Sequence, residues 1–311
     1  MNYKCKEHFA SYCPSSNWSH YLKGMKVKII ISTLITSAFG IFLYLTVTAP
    51  KSLAALDYSA ETSDLSNGEY IFTAAGCSGC HIEEGSKDKY LLAGGQKFET
   101  AFGTFKAPNI SNSVEFGIGA WEFQDFYNAL KLGQSPDGEH YFPTFPYTAY
   151  SKMTDQDIMD LWTFWKTLPS SDAFISDHDL PFLFSSRRNI GVWKTLYMSD
   201  KFVSSEVDRG TYLVEALSHC AECHSPRNIL GALKFSEWLE GAQDPSGKGR
   251  IPGISTEKLA WTGDEIIEYL SSGFTPDYDV AGGKMASVVE NTSKLSAADR
   301  SSIAQYLLRV K

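Results

Sequence analysis

Two short clusters carry side chains whose types and spacing suit one kind of chemistry: Cys77-Ser78-Gly79-Cys80-His81 and Cys220-Ala221-Glu222-Cys223-His224. In each, two thiols stand three residues apart and an imidazole follows at once. On a short helical turn, both thiols reach the two vinyl groups along one edge of a porphyrin, and the imidazole falls beneath the iron. This is the C-x-x-C-H pattern of covalent haem c attachment. A thioredoxin-like redox pair wants a βαβ setting, absent here, and leaves its histidine idle. A zinc site built from both cysteine pairs has the right ligand count. Two complete motifs in one chain are not an accident, however, and an export signal precedes both, as haem c attachment outside the cytoplasm requires. The expectation is two covalent haems c, held by Cys77, Cys80 and His81 and by Cys220, Cys223 and His224.

Each iron then needs a partner on its far side, unless that face is open for chemistry. Methionine suits an electron carrier, because a thioether favours ferrous iron and raises the potential. Met285, in Gly282-Gly283-Lys284-Met285, is the one methionine after His224, and no histidine follows His224. A glycine-rich loop before the last helix would carry it close to a flat porphyrin, so Met285 is the expected second ligand. In the first half Met153 stands immediately before the last helix and is the expected ligand there. Met159 reads as packing, Met198 lies in a connection, and His140 and His178 are outside candidates. Arg227 is a candidate partner for a haem propionate; the alternative is a solvated side chain. His219 reads as facing out or pairing with an acid. Cys5 and Cys13, with His8 and His20, match no usual zinc spacing and read as reduced thiols on a short tail.

The elements that must position these residues repeat. Gly68-x-Tyr70-Ile71 precedes the first motif and Gly210-x-Tyr212-Leu213 the second. Leu92-Ala93-Gly94-Gly95 is answered by Leu239-Glu240-Gly241-Ala242, and Pro108-Asn109-Ile110-Ser111 by Pro252-Gly253-Ile254-Ser255. Ala120-Trp121 precedes Gly133 as Ala260-Trp261 precedes Gly273, and Ser135-Pro136-Asp137 matches Thr275-Pro276-Asp277. Phe123, Phe126, Tyr127 and Leu130 share one helical face that stops at Gly133. Its counterpart opens on a Thr262/Glu265 capping box, buries Ile266, Tyr269 and Leu270, and stops at Gly273. Thr154 caps a last helix with Ile158, Leu161, Trp162 and Trp165 on one face; Ser296 caps another with Ile303, Tyr306 and Leu307. No segment shows sustained period-2 alternation. The expected fold is all-α: two tandem class I cytochrome c domains, residues 57–170 and 201–311, joined by a connection over 171–200.

The chain has 311 residues, 43% hydrophobic, and a net charge of -8. Such a balance argues against nucleic acid, which needs a basic face. Residues 1–56 carry +5 and residues 57–168 carry -9. Lys23, Lys26 and Lys28 precede an apolar run from Ile29 to Pro50. As a secretory signal the run would end at Ser52-Leu53-Ala54; as an anchor it is near the length that spans a bilayer. It exceeds a signal core and has no polar face, so residues 25–56 read as an inner-membrane anchor. The lysines then stay cytoplasmic and the rest of the chain faces the periplasm. Met25 is a plausible start, in which case residues 1–24, read as a cytoplasmic tail, are absent.

The chain resembles the cytochrome c subunits of bacterial membrane-bound alcohol, aldehyde and gluconate dehydrogenases. The resemblance runs over roughly residues 60–310. It rests on Leu92 to Gly95, Phe102-Gly103-Thr104, Pro108-Asn109-Ile110, Gly117-Ile118-Gly119, Phe145-Pro146-Tyr147-Thr148 and Lys152-Met153-Thr154-Asp155. In the second half it rests on Gly210 to Leu213, Cys223-His224-Ser225-Pro226-Arg227-Asn228, and Gly283 with Met285 and Val288-Val289-Glu290-Asn291. Those subunits usually carry three haem domains, against two here. The resemblance implies a conduit that takes electrons from a substrate-oxidising dehydrogenase subunit and passes them to a respiratory acceptor. A dihaem peroxidase or thiosulfate oxidoreductase would need an open iron or a cysteine ligand. A cytochrome subunit of a terminal oxidase would also carry one anchor and two haems.

Overall fold

The computed structural model describes residues 17–310 apart from residues 57, 59 and 248. Cys5, His8, Cys13 and the side chain of His20 lie outside the described residues. The first unit is a single helix, α1 (Asn17–Val47). Within it Lys23–Val47 is long and apolar enough to cross a membrane; its 25 residues span about 37 Å at 1.5 Å per residue, against a hydrocarbon core of about 30 Å. Thr33 and Thr36 return their hydroxyls to the carbonyls of Ile29 and Ser32, so those two donors are paired within the helix. The helix begins before Lys23, at Asn17.

Residues 50–311 form the second unit. Its first run is α2 (Leu65–Ala74), α3 (Ser78–His81), the hairpin β1 (Lys97–Thr100) and β2 (Gly103–Lys106), α4 (Phe123–Leu132), α5 (Tyr147–Tyr150) and α6 (Asp155–Trp165). The connection holds α7 (Phe182–Ser185) and α8 (Asn189–Tyr197). The second run is α9 (Arg209–Tyr212), α10 (Ala221–His224), a shorter hairpin β3 (Ala242–Gln243) and β4 (Arg250–Ile251), α11 (Gly263–Ser272), α12 (Gly283–Thr292) and α13 (Ala297–Leu307). A π-helical turn, Leu213–Leu217, prolongs α9. The protein is therefore mostly helical, but not wholly so. The hairpins pair four and two residues per strand, too few for alternation to show in the sequence. The connection is helical too, and Lys194 of α8 donates to the carbonyls of Leu132 and Gly133 at the C-terminal end of α4. A donor there satisfies acceptors that the helix leaves open.

The two runs share their frame. Asp64 and Asp208 cap the helices before the motifs, and Thr154 and Ser296 cap the last helices. The first and last helices of each run cross at a glycine. A Cβ on Gly68 would lie 2.1 Å from the Asp160 carbonyl oxygen, and one on Gly210 2.2 Å from that of Ser302. No side chain fits there, so backbone meets backbone. α4 and α11 both end on a left-handed glycine, Gly133 and Gly273.

The runs also grip each other reciprocally. The Tyr70 hydroxyl donates to Asp299 Oδ2 (2.6 Å) and accepts from the Ser296 amide (3.1 Å) at the start of α13. The Tyr212 hydroxyl donates to Asp157 Oδ2 (2.5 Å) and accepts from the Thr154 amide (3.1 Å) at the start of α6. Each G-x-Tyr tyrosine thus completes the cap of the other run's last helix.

Candidate haem sites

The two motifs are built alike. Cys77 and Cys220 stand at the entrance of α3 and α10, four-residue helices that end on His81 and His224. His81 Nδ1 donates to the Pro108 carbonyl at 2.9 Å, and His224 Nδ1 to the Pro252 carbonyl at 2.8 Å. A carbonyl only accepts, so each Nδ1 holds the proton and each Nε2 keeps its lone pair for a metal. The same bond fixes the ring's direction, the usual service of an outer partner to a metal-binding histidine. A second bond locks the backbone: Gly94 donates to the His81 carbonyl (2.6 Å) and Gly241 to that of His224 (2.7 Å). Burial lowers both imidazoles below their ordinary value, favouring the neutral ligand form.

The four motif thiols are free. Burial pushes Cys77 and Cys220 up to about 12. Burial first, then the charges of Glu222 and, from the other run, Cys80, push Cys223 up to about 11. Among the described residues no cluster of three or more His, Cys, Asp or Glu is arranged to hold a metal ion, which leaves the joint zinc site without support. Paired thiols beside an imidazole with a fixed tautomer do fit haem c. The motifs also face the partner run. Thr148 of α5 donates to Glu222 (3.2 Å), while Lys284 of α12 donates to Gln96 (2.6 Å) and Lys89 pairs with Glu290.

The other expected site residues fall less evenly. Met285 lies in the first turn of α12, not in a loop, half-buried against the core. Met153 is 1% exposed inside the core, and Lys131 donates to its carbonyl. Its match in the other run is Leu295: both immediately precede the cap of the last helix, and their amides bond to the carbonyls of Tyr150 and Thr292. Met153 thus holds, in the frame of the first run, a place that leucine fills in the second. Arg227 is engaged with Glu222 Oε2 (2.5 Å) and with the carbonyls of Glu222 and Gly231. His219 is half-buried and has the charge of Glu222 near it. It stands edge-on to Tyr150 between the runs, and burial lowers its pKa. His140 Nδ1 lies 3.1 Å from Lys194 Nζ, and His178 Nδ1 accepts from the Lys106 amide. The carbonyls of Pro108 and Pro252 were visible in the sequence only as a repeated Pro-x-Ile-Ser; that repeat was their signal.

Comparison with known proteins decides the family. A cytochrome c family profile matches residues 65–169, across the first motif. A diheme cytochrome c-type protein of Cereibacter sphaeroides is 46% identical over 284 residues, covering 89% of this chain and 95% of that one. The chain belongs to the c-type cytochromes. This cytochrome is also 35% identical over 265 residues to the fructose dehydrogenase cytochrome subunit of Gluconobacter japonicus, covering 81% of this chain and 54% of that subunit. It is 31% identical over 277 residues to the gluconate 2-dehydrogenase cytochrome c subunit of Pantoea cypripedii, covering 82% and 62%. The cytochrome thus spans about half to two thirds of those dehydrogenase subunits, and nearly all of the diheme protein. Haem c and electron transfer follow from the family.

Proposed function

We propose that this cytochrome is a dihaem electron-transfer subunit: two tandem class I domains, anchored in the inner membrane by α1 and facing the periplasm. It receives electrons from a substrate-oxidising dehydrogenase and hands them to a respiratory acceptor. The observation that carries the reading is the doubled histidine frame, His81 on Pro108 and His224 on Pro252. One haem site would need that arrangement once. When bound, haem supplies the one-electron chemistry. The protein's part is to hold each histidine neutral with Nε2 free and to present Met285 to the second iron. The relatives that are subunits of fructose and gluconate dehydrogenases support the dehydrogenase partner.

Protein matured with haem attachment and then denatured should show two haem masses bound covalently. Cys80→Ala and Cys223→Ala should each weaken one attachment only. A single haem in the parent protein overturns the reading. The holoprotein alone should oxidise no alcohol or sugar, yet be reduced when a cognate dehydrogenase and its substrate are added.

A further inference from the structure

The counterpart of Met285 in the first run can be found by counting from the nearest shared landmark. Gly133 and Gly273 end α4 and α11, and each is followed by a tight loop closed by the same bonds. Ser135 donates its amide to Glu139 as Thr275 does to Asp279, both at 2.9 Å. Tyr141 donates to Gly133 (2.7 Å) as Ala281 does to Gly273 (2.8 Å). Gln134 bridges His140 as Phe274 bridges Val280. Tyr141 and Ala281 are therefore equivalent. Four residues after Ala281 comes Met285, and four residues after Tyr141 comes Phe145. The match holds at that point as well: the Phe145 and Met285 amides both bond three residues back, to Phe142 and Gly282, at 3.1 Å. Both side chains are half-buried against the core. The registers part only afterwards, since Met285 stands eleven residues before Ser296 and Phe145 nine before Thr154.

Phe145 is surrounded by rings, those of Tyr141, Tyr147 and Tyr150 at 6.0, 6.1 and 5.8 Å. A phenyl group has no lone pair to give a metal. Nor does Met153 make up the loss, because it occupies the leucine position. We propose that the iron held by Cys77, Cys80 and His81 has no thioether ligand, and that its far face, walled by Phe145, takes a small exogenous ligand: carbon monoxide when ferrous, cyanide when ferric. The second iron, closed by Met285, takes neither readily. This rests on the reading that both motifs carry haem.

The test uses the full-length holoprotein. Under reducing conditions it should bind one carbon monoxide per two haems, read by the Soret change. The ferric protein should show one thioether-to-iron charge-transfer band per two haems. Phe145→Met should abolish carbon monoxide binding and roughly double that band. Met153→Leu should leave both measurements unchanged. No carbon monoxide binding by the parent, or loss of a thioether band in Met153→Leu, overturns the proposal, and either result stands even if Phe145→Met fails to mature. Met285→Leu checks the underlying reading separately: it should remove the parent's one band, and a band that survives shows that the ligand of the second iron was misassigned.

Discussion

The first and second runs hold their histidines alike and differ in the segment that carries Phe145 in one and Met285 in the other. On the histidine side everything is duplicated: the glycine crossing, the Pro carbonyl on Nδ1, the glycine amide on the histidine carbonyl. On the other side Phe145 answers Met285, and a four-residue helix, α5, answers the ten-residue α12. The leading helices also differ. α2 is regular, whereas α9 passes into a π turn around Glu215, which accepts from the amides of Val203 (2.5 Å) and Ser204 (2.9 Å) and from Tyr306 (2.8 Å). A buried carboxylate so fully bonded is tolerable; its counterpart position in α2 carries no such demand. The lesson is mechanical. The frame around each histidine is rigid and repeated, while the segment that carries Phe145 or Met285 changes in length without disturbing that frame.

The glycine crossings offer the largest effect by which to break this comparison. Gly68→Ala and Gly210→Ala would each force a Cβ into a carbonyl oxygen of the last helix. Neither neighbour can swing aside, since both are backbone. Each change should cost about 3 kcal/mol, the upper range for overpacking, measured as the unfolding free energy of the holoprotein. Gly68→Ala should be the worse, because the Asp160 carbonyl carbon and Phe164 Cβ also lie within 2.8 Å. A loss below about 1 kcal/mol in either would show that the crossing is not the shared constraint.

The reciprocal tyrosines come next. Tyr70→Phe and Tyr212→Phe each remove a bond to a carboxylate and strand a cap amide, at a cost of about 1–3 kcal/mol. The Tyr70 change should respond to pH. Burial alone would raise the Asp299 carboxyl, but the Arg209 guanidinium and the Tyr70 hydroxyl outweigh it and hold the group below its ordinary value. A carboxyl depressed on folding contributes stability above its unfolded value, near pH 4, and loses it as pH falls through the folded value. The penalty of Tyr70→Phe should therefore shrink as pH is lowered from about 6 to about 3. Equal penalties at both pH values would remove Asp299 from the interface.

Much of this architecture was legible in the residues. The caps at Thr154, Thr262 and Ser296 and the stops at Gly133 and Gly273 lie where side-chain chemistry alone places them. Elements held by distant partners were not legible. α8 is fastened through Lys194 to the end of α4 and through the Trp193 indole to the Leu230 carbonyl (2.9 Å), and neither contact leaves a periodic trace. β2 is completed by Asp179, which exchanges backbone bonds with Thr104. The register between the Gly133 and Gly273 loops and the last helices was not legible either. Counting back from the last helix is unreliable when the two segments differ in length, and only the bonds of the Gly133 and Gly273 loops show where the registers part.

The smallest effects are the sharpest check on equivalence. Thr154 accepts from the Asp157 amide at 3.1 Å and Ser296 from the Asp299 amide at 3.0 Å. Thr154→Ala and Ser296→Ala should each cost about 1 kcal/mol, the usual worth of an N-cap. Serine caps slightly better than threonine, so the two should agree within about 0.5 kcal/mol, with Ser296→Ala the larger. Each cap is also roofed by a tyrosine of the other run, so it should not act independently of that tyrosine. Combining Thr154→Ala with Tyr212→Phe should cost less than the two changes separately, by about 0.5 kcal/mol or more, since both loosen the same helix start. The same should hold for Ser296→Ala with Tyr70→Phe. Chemical unfolding of the two double-variant cycles measures this directly. Coupling in one cycle and strict additivity in the other would mean that the reciprocal grip of the two runs is real on one side only.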